Sequence, residues 1–75
     1  MKHHGVVSWF NEIKGFGFIR DDESGEDVFV DYSAVEREGF RTLYAGETVE
    51  YEKTEDSGGV KAAKVRLTGT LAPGA

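Results

Sequence analysis

The feature that most constrains the fold is a twelve-residue stretch, Ser8 to Ile19, which carries four aromatic rings, two glycines and a lysine. Successive side chains of a half-buried β-strand point to opposite faces, so its apolar residues alternate with polar ones. Here Ile19 is the natural inward residue and Arg20 the natural outward one. Counting back by twos from Arg20 places Phe18 and Phe16 on the outward face. The sequence therefore predicts two phenylalanines on the solvent side of a strand.

The segment from Asp27 to Asp31 shows the same anomaly. Val28 and Val30 share one face of a predicted strand, whereas Phe29 shares the other face with the two aspartates. An aromatic ring is therefore expected at the centre of the polar side of this strand.

The first predicted strand, residues 5–11, breaks the regular alternation. Val7 and Phe10 are both candidate core residues although they are three positions apart. A β-bulge near Ser8 and Trp9 would turn both inward and leave the indole exposed. Cross-strand neighbours lie about 5 Å apart, so four rings can form one surface, which we call the aromatic face: Trp9, Phe16, Phe18 and Phe29. The alternative is that these rings belong to the core, but their agreement in phase favours exposure.

An exposed apolar patch of this kind usually marks a binding site. Bases of single-stranded nucleic acid stack on aromatic rings for roughly 1–3 kcal/mol each, without demanding a particular base. Lys14 and Arg20 lie in the same stretch and can neutralise phosphates. The predicted function is therefore single-stranded nucleic-acid binding. A second hypothesis is a protein-interaction module that uses the aromatic face on a peptide.

Several motifs resemble those of the bacterial cold-shock protein family. They are GVVSWFN at 5–11, KGFGFI at 14–19, DVFV at 27–30, GFRTL at 39–43 and GETV at 46–49, and the likeness continues to about Leu67. The resemblance implies one all-β domain over residues 1–67, a five-stranded antiparallel OB-fold-like β-barrel with a short helical turn after strand three. It also implies binding of single-stranded RNA and DNA, as an RNA chaperone or a regulator of transcription or translation. Residues 68–75 lack a pattern and are expected to form a flexible tail.

The predicted nucleic-acid-binding residues extend beyond the aromatic face. They also include Asn11, Lys14, Asp31, Tyr32, Phe40 and Lys61. The resemblance implies that Phe40 extends the stacking surface, although it could equally cap the barrel end. Lys61 lies next to the glycine loop that borders the binding face in the resembled family, which makes it a candidate contact; its alternative role is a solvated strand edge that discourages aggregation. Asp31 replaces the family's usual histidine, and its carboxylate can accept a hydrogen bond from a base amino group.

The charge balance opposes this function, because the net charge is −5 whereas nucleic-acid binders are expected to be basic. The acidity is concentrated in residues 21–31, which hold six carboxylates and no cation; residues 1–20 hold three cations and one carboxylate. Val6 and Ser8 also stand where the resembled family usually has basic residues. Binding is therefore expected to depend more on stacking than on phosphate contacts, with a shallow salt dependence.

Composition and local patterns argue against other classes of function. The chain has no cysteine, so it has neither disulfides nor thiolate zinc ligands. The adjacent His3 and His4 point apart on a strand and lack a third ligand, so an ordinary terminus is expected there rather than a metal site. No nucleophile or acid–base pair can be placed in a pocket, so we expect no enzyme, cofactor or small-molecule substrate. Without a membrane-spanning run or signal-peptide pattern, the expectation is a cytoplasmic protein without a membrane partner, monomeric by default.

Glycines and a possible cap predict the connections between strands. Gly15 is expected at a turn with positive φ, and Gly17 at a close approach of two chains. Residues 22–26 form the next turn. Ser33 to Glu36 matches a capping box that opens a helical turn ended by Gly39, with Val35 as its core contact.

Alternation predicts the last two strands. Val49 and Tyr51 are expected to face inward on strand four, followed by a polar loop at 54–59. On strand five, Ala63, Val65 and Leu67 are expected to share the inward face.

Overall fold

Five β-strands close into a barrel in the computed structural model, which describes residues 2–37, 42–56 and 58–68. The elements are β1 (Lys2–Asn11), β2 (Phe16–Asp21), β3 (Asp27–Asp31), a 3₁₀ turn (Tyr32–Ala34), β4 (Thr48–Asp56) and β5 (Gly59–Leu67). The order around the barrel is β1-β2-β3-β5-β4. The predicted all-β barrel, with its short turn after strand three, is confirmed. Of the predicted tail 68–75, only Thr68 belongs to the described residues.

The barrel closes through one parallel pairing. Strand β1 pairs antiparallel with β2 and β4, β2 with β3, and β4 with β5. Between β3 and β5 the pairing is parallel, with Phe29 opposite Lys61. Side-chain alternation is the same in parallel and antiparallel strands, so the sequence pattern did not reveal this parallel pair.

The interior is filled by the inward side chains of all five strands. The buried apolar residues are Val7, Ile19, Val28, Val30, Val35, Leu43, Val49, Tyr51, Ala62 and Val65. Phe10 packs against them while remaining partly accessible. Burial of this apolar surface, worth about 25 cal/mol per Å², is the main force that holds so small a barrel together. The inward positions predicted on β2, β3 and β4 are confirmed.

Strand β1 contains the predicted bulge but begins earlier than expected. Its pairing with β2 shifts register between Val7 and Trp9. The strand starts at Lys2 rather than at Gly5, because its first residues pair with β4, His3 lying opposite Tyr51. The two histidines therefore belong to a paired strand of the barrel rather than to an ordinary terminus.

Two glycines are required by the connection between β1 and β2. Gly15 has φ +77°, a left-handed conformation that favours glycine. A Cβ atom at Gly17 would collide with the carbonyl oxygen of Trp9 and the backbone of Phe10. Both predictions are confirmed, and Gly17 allows β1 and β2 to pack closely behind the outward rings.

Strand β5 does not alternate as predicted. Glu50 on β4 lies opposite Arg66 on β5, and Glu52 lies opposite Ala63. The two β5 residues between Ala63 and Arg66 therefore face the single β4 residue between Glu50 and Glu52. The bulge includes Lys64, which has φ +51°. As a result Val65 is buried as expected, but Ala62 replaces Ala63 as its inward companion.

The ends of β5 also differ from the expectation. Leu67 is 38% exposed rather than buried, although it lies two residues beyond the buried Val65, because it is the last residue of the strand. The predicted loop at 54–59 is wrong, because β4 continues to Asp56 and β5 begins at Gly59.

The short turn after β3 is a 3₁₀ helix that begins before the predicted capping box. Asp31 is its N-cap, and Oδ1 of Asp31 accepts a hydrogen bond of 3.0 Å from the Ser33 N–H. The prediction of Ser33 as the cap was wrong by two residues. The side chains of Asp31 and Ser33 can both cap a helix, and Asp31 takes this role because β3 ends there. Val35 follows the turn and is buried, as predicted. The predicted end at Gly39 lies outside the described residues.

Candidate nucleic-acid interface

The four rings of the aromatic face lie together on the outer surface of β1, β2 and β3. Phe18 lies opposite both Trp9 on β1 and Phe29 on β3. Ring centroids are 5.4 Å apart for Trp9–Phe18, 5.8 Å for Phe18–Phe29, 5.9 Å for Phe16–Phe29 and 5.7 Å for Trp9–Phe16. Each ring thus contacts two others in a closed cycle. Aromatic pairs at such distances support one another, so the face is assembled before any ligand arrives.

The bulge in β1 explains why the indole takes part in this cycle. It changes the phase of β1 after Val7, so that Trp9 joins the outward rings and Phe10 turns toward the core. Trp9 is 45% exposed, a large fraction for the chain's only tryptophan. An apolar ring left so accessible is available to a ligand.

Tyr32 extends the aromatic surface past the end of β3. Its side chain is 53% exposed. A Cβ atom added at Gly15 would lie 2.6 Å from Cδ2 of Tyr32, and the Tyr32 N–H donates a 2.9 Å hydrogen bond to the Gly15 carbonyl. The glycine turn therefore makes room for the ring and fixes its backbone.

Asn11 shapes the turn beside the aromatic face. Its Oδ1 atom accepts hydrogen bonds from the N–H groups of Ile13 at 3.0 Å and Lys14 at 2.9 Å. The Gly15 N–H donates to the Asn11 carbonyl at 2.7 Å. The structure thus gives Asn11 a positioning role, while Lys14 is exposed in the turn that Asn11 holds.

Two further predicted residues border the face, and one falls outside the description. Asp31 lies opposite Phe16 in the β2–β3 register, and the exposed Lys61 lies opposite Phe29. Phe40 lies outside the described residues.

Arg20 is not an isolated cation, a relationship that the sequence analysis missed. It lies opposite Asp27 in register, and its Nε atom is 3.8 Å from Oδ1 of Asp27. Alternation had placed both side chains on the outward face, but only the register shows that they meet. The cation at this edge of the aromatic face is therefore partly compensated.

A second polar cluster, also missed, lies inside the barrel. Asp21 is 2% exposed, and the hydroxyl of Tyr51 donates a 2.5 Å hydrogen bond to its Oδ2 atom. The backbone N–H groups of Glu23 and Ser24 donate to Oδ1 at 2.8 and 3.0 Å, and Nζ of Lys53 is 3.3 Å from Oδ2. Side-chain alternation along β2 could have predicted this position, because Asp21 follows the inward Ile19 by two residues.

This cluster fixes the ionisation of two side chains. The hydrogen bond from Tyr51, helped by those from the turn and Lys53, outweighs burial and holds the pKa of Asp21 well below its ordinary value. Burial and the neighbouring carboxylate raise the pKa of Tyr51 above its ordinary value. The pair is therefore a carboxylate and a neutral phenol at neutral pH. Among the described residues, no group of three or more acidic or histidine side chains could hold a metal ion.

A comparison with known protein families shows which family the chain matches. A model of the 'Cold-shock' DNA-binding domain matches residues 3–68. The chain belongs to the cold-shock domain family. Members of this family bind single-stranded nucleic acids and are not enzymes.

Curated relatives from distant bacteria share about half of the residues. The cold shock-like protein CspA of Stigmatella aurantiaca is 53% identical over 62 residues, covering 83% of this chain and 91% of the relative. CspLB of Listeria monocytogenes is 56% identical over 61 residues, covering 81% and 91%. CspE of Escherichia coli K12 is 50% identical over 64 residues, covering 85% and 93%. The resemblance found in the motifs is thus confirmed over most of the chain.

A solved structure extends the likeness of fold. The structure of Drosophila Unr CSD456 matches 99% of this chain with a TM-score of 0.78, at 18% sequence identity. The match covers 29% of that longer chain. At this identity the match shows the cold-shock barrel alone. In the part of the cold-shock chain that the structure describes, no helix is long and apolar enough to cross a membrane.

Proposed function

We propose that this cold-shock domain binds single-stranded RNA and DNA by stacking bases on the aromatic face, and that it acts as an RNA chaperone. The observation that carries the proposal is the closed cycle of four rings on the outer surface of β1–β3. Core packing does not require such a cycle, because the interior is already filled by aliphatic side chains and Tyr51. Flat apolar rings in water suit the faces of unpaired bases.

The residues around the face have separate roles in this proposal. Trp9, Phe16, Phe18 and Phe29 stack bases, and Tyr32 extends the stack past β3. Lys14 and Lys61 supply positive charge beside the rings, Asn11 holds the turn that carries Lys14, and Asp31 contacts a base edge. Phe40 is the remaining candidate for stacking.

Chaperone activity follows from stacking without any chemical step. A protein that binds unpaired strands and not duplexes shifts an RNA hairpin toward its open state by mass action. Because each stacked base contributes roughly 1–3 kcal/mol, several stacks offset the loss of a few base pairs. The compensated charge of Arg20 keeps phosphate attraction small, so release is not slowed by many ion pairs.

Titration of Trp9 fluorescence with a single-stranded heptanucleotide of mixed sequence, as RNA and as DNA, tests the binding step. We expect saturable quenching, because bases stack against the indole. Phe18→Ala and Phe29→Ala should each weaken binding about tenfold, the equivalent of one lost stack. Leu67→Ala, which removes exposed apolar surface elsewhere, is the matched control and should leave the affinity unchanged.

A fluorophore–quencher RNA hairpin tests the chaperone step with the same variants. The wild-type protein should open the hairpin at concentrations that saturate the heptanucleotide, and Phe18→Ala should need about tenfold more protein. Absence of quenching at high micromolar strand concentration would reject the nucleic-acid function and favour a peptide ligand for the aromatic face. Binding without hairpin opening would reject the chaperone role alone.

A further inference from the structure

The carboxylate of Asp31 stands at the edge of the aromatic face in a fixed orientation. Asp31 lies directly opposite Phe16, and cross-strand neighbours of an antiparallel pair lie about 5 Å apart on the same face. A base that stacks on the Phe16 ring therefore lies within reach of this side chain. The edge of that base meets a charged acceptor rather than a donor.

Two hydrogen bonds fix the position of this acceptor. Oδ1 of Asp31 accepts the Ser33 N–H at 3.0 Å, and the following residue, Tyr32, is held by its 2.9 Å bond to the Gly15 carbonyl. Among residues 2–37, 42–56 and 58–68, the Ser33 N–H is the one hydrogen-bond donor found on the Asp31 carboxylate. Oδ2 therefore retains its capacity to accept a hydrogen bond from a ligand, and its orientation is set before binding.

We propose that Asp31 makes this domain prefer bases with an exocyclic amino group over uracil and thymine. This inference rests on the proposed stacking function. A carboxylate only accepts hydrogen bonds, so it pairs with the amino groups of cytosine, adenine and guanine. Uracil and thymine present carbonyl oxygens there instead. Their single ring N–H lies between two carbonyl oxygens, so a carboxylate that approaches it also approaches two acceptors.

Cytosine and uracil provide the sharpest comparison, because they have the same ring size and differ chiefly in an amino group against a carbonyl oxygen at C4. The readout is the ratio of dissociation constants for the RNA heptamers U₇ and C₇, measured at pH 7.5 by Trp9 quenching. For the wild-type protein we expect C₇ to bind about fivefold more tightly, the effect of one charge-assisted hydrogen bond of modest strength.

Asp31→Asn separates the proposed role from the structural one. Asparagine caps helices about as well as aspartate, so the 3₁₀ turn and the fold are retained. An amide can donate as well as accept, so it pairs with either base. We expect the U₇/C₇ ratio to fall to about one, mainly through tighter binding of U₇.

Asp27→Asn is the matched control. Asp27 lies on the same strand and the same outward face, and its substitution changes the charge by the same amount, but it stands opposite Arg20 rather than Phe16. This variant should tighten binding of both heptamers alike and leave their ratio at the wild-type value. A ratio that changed equally in both variants would show a general charge effect and would overturn the assignment.

Other outcomes distinguish failure of this inference from failure of the proposed function. If the wild-type protein binds both heptamers equally, or if Asp31→Asn keeps the wild-type ratio, Asp31 does not select bases and stacking alone stands. If neither heptamer quenches Trp9, the proposed function fails and the inference is overturned with it.

Discussion

Tyr51 donates a 2.5 Å hydrogen bond to the buried carboxylate of Asp21 and thereby ties β4 to the end of β2 inside the barrel. The same carboxylate accepts the N–H groups of Glu23 and Ser24, so it also organises the turn that leads to β3. A buried charge is tolerated only where hydrogen bonds replace the lost water, and both of its oxygens have donors here. The pair therefore stabilises the scaffold that carries the aromatic face on its outer side.

Replacing Tyr51 by phenylalanine should lower the free energy of unfolding by about 1–3 kcal/mol, because the buried carboxylate loses a donor while the ring is retained. Urea denaturation followed by Trp9 fluorescence measures this loss. A double-mutant cycle with Asp21→Asn should show that the two losses are not additive, since the residues share one hydrogen bond. Additive effects would contradict a direct coupling of the two residues.

The depressed pKa of Asp21 makes stability depend on pH in the acid range. A carboxyl group whose pKa is lower in the folded than in the unfolded state contributes stability that is present above its unfolded pKa, about 3.9. That stability is lost as the pH falls from there through the folded pKa. We therefore expect the free energy of unfolding to decline below about pH 4, and to decline less in Asp21→Asn.

Denaturation midpoints between pH 6 and pH 2 test the acid dependence. Asp22→Asn is the control, because Asp22 is the exposed neighbour of Asp21 and should leave the decline as steep as in the wild-type protein. Equal declines for all three proteins would show that Asp21 is not the group responsible.

Gly17→Ala should be far more damaging than Gly25→Ala. The new methyl group at Gly17 would collide with the backbone of Trp9 and Phe10, which cannot move without separating β1 from β2, so the loss should reach about 3 kcal/mol. At Gly25 a methyl group meets nothing within 4 Å, and only the φ of +76° opposes it, for roughly 1–2 kcal/mol. Thermal unfolding of both variants measures the difference, and equal losses would contradict the close approach at Gly17.

The parts of the structure that follow strand alternation could be predicted from the sequence. The outward phase of Phe16, Phe18 and Phe29 depends only on the period of two, and the spacing of Val7 and Phe10 required a bulge. These local rules were sufficient to assemble the aromatic face, because each ring is placed by its own strand.

Features that depend on partners distant in sequence could not be predicted in the same way. The hydroxyl donor to Asp21, on Tyr51, is thirty residues away, and no local pattern identifies it. The bulge at Lys64 has no sequence marker, since a lysine rarely adopts a positive φ. Asp31 and Ser33 are both competent caps, and the choice between them depends on where β3 stops pairing.

The ion pair between Arg20 and Asp27 predicts how binding responds to salt. With the two side chains 65% and 53% exposed, the pair contributes about 0–1 kcal/mol to stability, so Asp27→Asn should unfold like the wild-type protein. Once its carboxylate partner is removed, Arg20 can neutralise a phosphate of the bound strand. The slope of log K against log salt concentration should then become more negative by about 0.7, the value for one phosphate contact on a single strand. Adding Arg20→Gln to this variant should restore the shallower slope. An unchanged slope in Asp27→Asn would contradict the prediction, because it would show that Arg20 gains no phosphate contact when its ion pair is removed.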